Sequence, residues 1–325
     1  MAAKPESTGA VLLADVGGTN ARFAMIEDGI IGDIRTLAAS GHSGIADAAR
    51  TYLAGRCIGG AAIAVAGPVP ADEDTPITLT NRAWSFSAAG IRAALGGVPV
   101  RIVNDFAAQA LALPHLGPAD LEMTGGGKAA GNAPKAVLGP GTGLGMAVLL
   151  PENSGWRALA TEGGHVTLAA STDAEAAVLS RLRARFGHVS AERVLSGPGL
   201  VNLHEALAGV EGTVPEADTP DGVTAAALAA PGSLAGRTVS MFCAFLGTVA
   251  ADAALSYAAA GGVYIAGGIV PKLGSGFASS GFRTRFEAKG RFSAWLAEIP
   301  TFTVVAPYPA FAGLAALVRE LRAQE

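Results

Sequence analysis

Cysteine is scarce in these 325 residues. Cys57 and Cys243 are the only two, far apart and in apolar surroundings, so neither a disulfide framework nor a cysteine-rich zinc site can be built. They read as small core residues of a reducing compartment. Charge is also sparse: charged residues make up 15% of the chain and the net charge is -4. With no basic block to offset a phosphate backbone, nucleic acid is not an expected partner. The opening residues, MAAKPESTGA, hold no long apolar run and do not read as a signal peptide. One uncharged stretch, Ala253 to Val270, has the length of a short membrane span. Asp252 precedes it, Gly261-Gly262 and Gly267-Gly268 interrupt it, and Pro271-Lys272 closes it. It reads as a buried helix, a glycine turn and a buried strand, and no membrane is expected as a partner.

What the chain does have is apolar residues, half of the total, and 44 glycines. That describes a globular protein rich in tight turns and long enough for about two domains. The stretch organising the rest is LADVGGTNARFAM, Leu13 to Met25. Val11, Leu12 and Leu13 begin a buried strand that ends at Asp15, the chain turns on Val16-Gly17-Gly18-Thr19, and a second strand returns through Ala21, Phe23 and Met25. Glycines at 17 and 18 permit positive φ and let turn N–H groups approach a phosphate, and Asp15 stands where a carboxylate could hold a hydrated magnesium ion. An ordinary hairpin, with Asp15 satisfying its own backbone, fits the same residues.

Further strands are expected at Ile30 to Leu37, Gly59 to Ala66 and Val100 to Val103, with a helix at Ile45 to Leu53. Leu79-Thr80-Asn81-Arg82-Ala83-Trp84 reads either as a surface turn anchored by Trp84 or as a substrate-facing loop. Asn104-Asp105 ends the strand VRIV ahead of the helical FAAQALAL; Asp105 suits a helix cap or a catalytic base. After the connector GGGKAAGNAP, Lys135 to Leu150 repeats the opening pattern of strand, Gly/Thr turn at Gly139-Pro140-Gly141-Thr142-Gly143, and strand. Neither turn is a Walker loop or a complete dinucleotide fingerprint. Two such hairpins suggest two related domains facing one triphosphate.

Glu162-Gly163-Gly164-His165 breaks a helix, so its carboxylate and imidazole suit sugar hydroxyls better than a metal. Glu192 reads as a favourable charge near a helix start or as a ligand group. Gly209 to Gly222 is expected as a loop, Val239 to Ala260 as a long helix, and Val263 to Ala266 as a strand whose Gly267-Gly268 would admit a flat ring such as adenine. Phe302 to Val305 gives a last strand, and Ala310 to Leu321 a helix expected to close back on the first domain.

Taken in order, LADVGGTNARFA, VAGPV, LTNRAW, VNDFAAQALAL, GPGTGLG, TEGGHV, SAERVLSGPGLVNL and IAGGIVPKL resemble the bacterial glucokinases of the non-ROK type, within the hexokinase, Hsp70 and actin superfamily. The resemblance runs nearly end to end. It implies an α/β fold of two ribonuclease H-like domains around an interdomain cleft, a small one of residues 1–112 plus 301–325 and a large one of 113–300. It implies ATP-dependent phosphorylation of D-glucose at the 6-hydroxyl, with magnesium, in the cytoplasm, by a homodimer. Ala14, Asp15, Val16, Gly17, Gly18 and Thr19 would form the first phosphate loop, Gly141 and Thr142 the second, and Gly267 and Gly268 the adenosine contact. Asp15 would reach magnesium through water. Asn104 and Asp105 would meet the sugar, with Asp105 the general base, and Glu162, His165 and Glu192 would hold the other hydroxyls. Glucose would draw the two domains together, with hinges near Leu113-Pro114 and Pro300. The ROK sugar kinases are similar in fold but usually carry a cysteine-rich zinc motif that this chain lacks. A kinase for another hexose or an amino sugar stays open. So does a non-catalytic ATP-binding sugar sensor, although no basic helical extension precedes Ala10.

Overall fold

The computed structural model describes residues 9–79, 82–153 and 155–323. Thr80 and Asn81 of the LTNRAW segment, and most of the opening MAAKPESTGA, lie outside the described residues. The chain forms two compact units, Met1–Leu116 with Pro307–Glu325, and Gly117–Ala306.

The first unit is built on β1 (Val11–Val16), β2 (Asn20–Glu27), β3 (Ile30–Ala38) and β4 (Gly60–Val65), a small hairpin of β5 (Ile77–Thr78) and β6 (Ser85–Phe86), and β7 (Val100–Asn104). Its five-stranded sheet runs β3-β2-β1-β4-β7. The first three strands are antiparallel and β1, β4 and β7 are parallel. Because both faces of β1 and β4 are covered, these strands read as continuous apolar runs rather than alternating ones. Leu12, Ala14 and Val16 join Phe23, Tyr52 and Ile91 in one core. Leu13, Ala62 and Ala64 face Phe311, Leu314 and Val318 of the last helix, Pro309–Ala323. Gly313 makes that packing possible, since a Cβ there would collide with the Ala108 carbonyl of the helix Asp105–Ala112.

The second unit holds β8 (Leu121–Gly125), β9 (Lys135–Pro140), β10 (Leu144–Glu152), β11 (Gly155–Thr161), β12 (Val263–Ile265) and β13 (Thr301–Val304). They form a six-stranded sheet in the order β11-β10-β9-β12-β13-β8. Again three antiparallel strands lead into parallel neighbours, here β9, β12 and β13. Over five strands the two sheets thus share one order, the repeat that the tandem glycine hairpins suggest, with β8 an added antiparallel edge strand in the second, and the fold is α/β. The helix Leu234–Tyr257 is apolar and long enough to cross a membrane, but two thirds of that apolar window is buried within this unit.

Several expectations need correction. Thr301–Val304 hydrogen bonds to β12 and β8, so it belongs to the second unit; the chain crosses between units at 116/117 and 306/307, not at 112/113 and 300/301. Pro300 therefore lies inside the second unit. The expected loop Gly209 to Gly222 is shorter: one helix runs on to Glu211 and another begins at Pro220, with the Thr219 hydroxyl accepting from the Gly222 N–H as its cap. Cys243 is buried as expected, whereas Cys57 is exposed in the turn after the helix Ile45–Leu53. Gly17 adopts no positive φ.

Candidate active site

In the first unit, Asp15 lies near the end of β1 opposite Arg22 of β2, whose Nη1 donates to Asp15 Oδ2 at 3.2 Å. The side chains of Ala14 and Val16 are fully buried under the turn, so only their backbone is left to meet a ligand. Asn104 ends β7 and caps the next helix: its Oδ1 accepts from the N–H groups of Phe106 and Ala107 at 3.0 and 3.1 Å, and its Nδ2 donates to the Gly67 carbonyl at 3.2 Å. The capping role open to Asp105 therefore falls to Asn104. Asp105 is the first helical residue, half-buried, with Oδ1 accepting from the Phe106 N–H at 2.9 Å. Trp84 is buried in the core and anchors its loop, with the Arg82 guanidinium stacked 4.7 Å from its ring centroid.

In the second unit, Glu192 sits in the short 3-10 turn Ala191–Arg193 and its Oε2 accepts from the Leu144 N–H at 2.9 Å. This carboxylate fits only because residue 143 is glycine; a Cβ there would strike it. The 3-10 turn Gly163–His165 lies beside the same segment: Ala191 N–H donates to the Val166 carbonyl at 2.9 Å and Leu168 N–H to Val189 at 3.0 Å. The structure thus brings the Glu162 loop next to Glu192. Glu162 Oε2 and His165 Nε2 stand 3.9 Å apart, both exposed. No cluster of three or more metal-ligating side chains occurs among the described residues.

The glycines of the second hairpin and of the turn after β12 divide by what they are needed for. Gly267 has φ of 84°, and a Cβ there would meet the Pro140 carbonyl, so the backbone requires it. Gly141 and Gly268 have no such need, since an added Cβ at either would meet nothing within 4 Å. Both line a cavity of about 440 Å³ together with Thr142, Pro198, Asp221 and Lys272. Gly17 in the first unit resembles them, with only an ordinary contact to the Asn20 carbonyl at 3.6 Å. Glycine where neither strain nor packing demands it leaves a face open to a ligand.

A family model described as Glucokinase matches residues 12–321. The chain is 50% identical to the Glucokinase of Paramagnetospirillum magneticum over 95% of its own length and 98% of that protein's, and 46% identical to that of Aromatoleum aromaticum over 94% and 93%. A solved glucokinase structure from an Antarctic psychrotroph matches with a TM-score of 0.85 and 35% identity, covering 96% of this chain and 99% of that one. The chain belongs to the glucokinase family.

The same cavity is lined by two charged residues, neither of them a candidate from sequence. Asp221 opens the helix Pro220–Ala229 and pairs with Lys272 at 2.6 Å, and both line the cavity. Thr219-Pro220, a cap followed by proline at the first helical position, is the signal that could have placed that helix start. In the first glycine turn, burial raises the Asp15 carboxyl above its ordinary range, and the Arg22 guanidinium offsets this only in part.

Proposed function

We propose that this glucokinase transfers phosphate from ATP to the 6-hydroxyl of D-glucose with its two glycine hairpins on the triphosphate, Asp105 as general base and magnesium on the nucleotide. ATP-dependent phosphorylation of glucose to glucose 6-phosphate is the reaction of its family. One observation supports the assignment of parts: the same hairpin recurs at the same place in two sheets that share one order over five strands, with Gly141 facing open space and Gly17 making only an ordinary contact to the Asn20 carbonyl. Phosphoryl transfer asks for positioned phosphates and a base, with little covalent work by the protein. Asp105 accepts the 6-hydroxyl proton, its carboxylate oriented by the Phe106 N–H. Glu162, His165 and Glu192 hold the remaining hydroxyls, and the hydrogen bond from Leu144 fixes Glu192 against the second hairpin. Gly141 and Thr142 meet the phosphates, and Gly267 and Gly268 the adenosine.

The donor set fits a hydrated magnesium ion. No cage of protein ligands exists among the described residues, and a single half-buried carboxylate at a strand end, paired with Arg22, suits a cation that keeps its waters and takes other ligands from phosphates. Asp15 would hold it through water, and the bound ion would neutralise charge on the phosphate oxygens. The scarcity of cysteine, two in the chain, supports the non-ROK type. Dependence on ATP suits a cytoplasmic setting. A coupled assay of magnesium ATP against a panel of hexoses and amino sugars tests the reading. Glucose should give the highest kcat/KM, and a chelator should abolish turnover until magnesium is added back. Faster turnover of an amino sugar would overturn the substrate assignment.

A further inference from the structure

We propose that Arg82 is a positioning residue that turns the first glycine loop toward the phosphates; this rests on reading Ala14 to Thr19 as a phosphate loop. Arg82 Nη1 donates to the Gly18 carbonyl at 3.2 Å and Nη2 to the Ala39 carbonyl at 2.7 Å. The next carbonyl of the turn, that of Thr19, accepts from the Ala39 N–H at 2.9 Å. Two successive turn carbonyls are therefore tied to the same short segment, one of them through Arg82. Within a planar trans peptide, C=O and N–H point in opposite directions. No cis peptide occurs among the described residues, so holding the Gly18 carbonyl on Arg82 directs the Thr19 N–H away from it. Thr19 is exposed, and outward N–H groups of a turn make an anion-binding concavity.

The guanidinium suits this task in two ways. Its planar fork donates to two carbonyls from two separate nitrogens held in fixed geometry, and its charge is permanent. It is fixed from below by Trp84, which is buried in the core and lies 4.7 Å from the guanidinium carbon. Arg82 thus presets the turn and adds positive charge behind it without needing to touch the nucleotide.

Arg82→Met and Arg82→Lys test this by calorimetric titration with ATP, with adenosine and with glucose, alongside steady-state kinetics and melting curves. The proposal expects Arg82→Met to weaken ATP roughly tenfold or more, the scale of a lost charged hydrogen bond, while adenosine and glucose bind within about twofold of the parent. Arg82→Lys, able to reach one carbonyl, should recover part of the loss. Equal weakening of all three ligands would make Arg82 a merely structural residue and overturn the proposal. Gly17→Ala separates the phosphate-loop reading from the role of Arg82, because the backbone tolerates it and its methyl adds bulk to the turn, meeting only the Asn20 carbonyl at 3.6 Å. If Gly17→Ala weakens ATP and Arg82→Met does not, Arg82 alone is misassigned. If neither does, the phosphate-loop reading falls and Arg82 falls with it.

Discussion

Gly141→Ala and Gly267→Ala should fail in opposite ways. The Gly267→Ala variant would have to hold φ near 84°, a left-handed conformation that costs an L-residue about 1–2 kcal/mol. Its new Cβ would also press on the Pro140 carbonyl, and overpacking of that kind costs about 1–3 kcal/mol. The sum, roughly 2–5 kcal/mol, corresponds to a fall in Tm of about 4–20 °C for a unit of this size. The Gly141→Ala variant needs no unusual backbone and its methyl meets no atom within 4 Å, so its stability should stay within about 0.5 kcal/mol of the parent. That methyl, however, faces the cavity that Gly141 shares with Thr142 and Gly268. If the triphosphate lies there, crowding of about 1–3 kcal/mol raises the KM for ATP by about fivefold to a hundredfold, with the KM for glucose unmoved. Scanning calorimetry and ATP-dependent kinetics on the two variants read both effects. A Gly141→Ala enzyme with normal ATP kinetics would refute the placement of the phosphates, and a Gly267→Ala enzyme that melts like the parent would refute the division of the glycines.

Asp105→Asn should lower kcat by about a hundredfold or more, the usual share of a general base, and near-full turnover would remove Asp105 from the chemistry. Glu162→Ala should weaken glucose by about 1.5–3 kcal/mol per charged hydrogen bond lost and leave ATP alone; equal weakening of both substrates in a binding titration would contradict its place on the sugar. Asp15→Asn should raise Tm at neutral pH while impairing activity. Burial lifts the Asp15 carboxyl above its ordinary value of 3.8. A raised carboxyl opposes folding once it ionises, so the parent carries that cost at neutral pH and loses it as pH falls below the ordinary value. The gain in the variant should accordingly vanish once the pH falls below that ordinary value, and a lower Tm at neutral pH would show that the Arg22 ion pair outweighs burial.

Much of the frame was legible in residues alone. The helix Ile45–Leu53 matches its apolar spacing residue for residue, and β1, β4 and β7 lie within about a residue of the apolar runs bounded by turn residues. These features depend on local backbone preference and on burial periodicity, which neighbours in sequence set. The repeat of the glycine hairpin was equally visible and suggested two related domains, whose sheets share one order over five strands. The non-local decisions were not visible. LEMTG at Leu121–Gly125 has no strand pattern of its own and becomes a strand through β13, and β13 itself joined the second unit. Asn104 and Asp105 are adjacent carbonyl-bearing residues at a helix start, and only geometry decided that Asn104 caps it. Glu192 reaches an N–H 48 residues earlier, and Arg82 reaches a carbonyl 64 residues earlier. A sequence specifies which groups can donate and accept and how the chain turns near them. Which donor meets which acceptor across such distances is decided by the packing of the sheets and helices that carry them, because contacts between remote residues exist only once those elements have assembled.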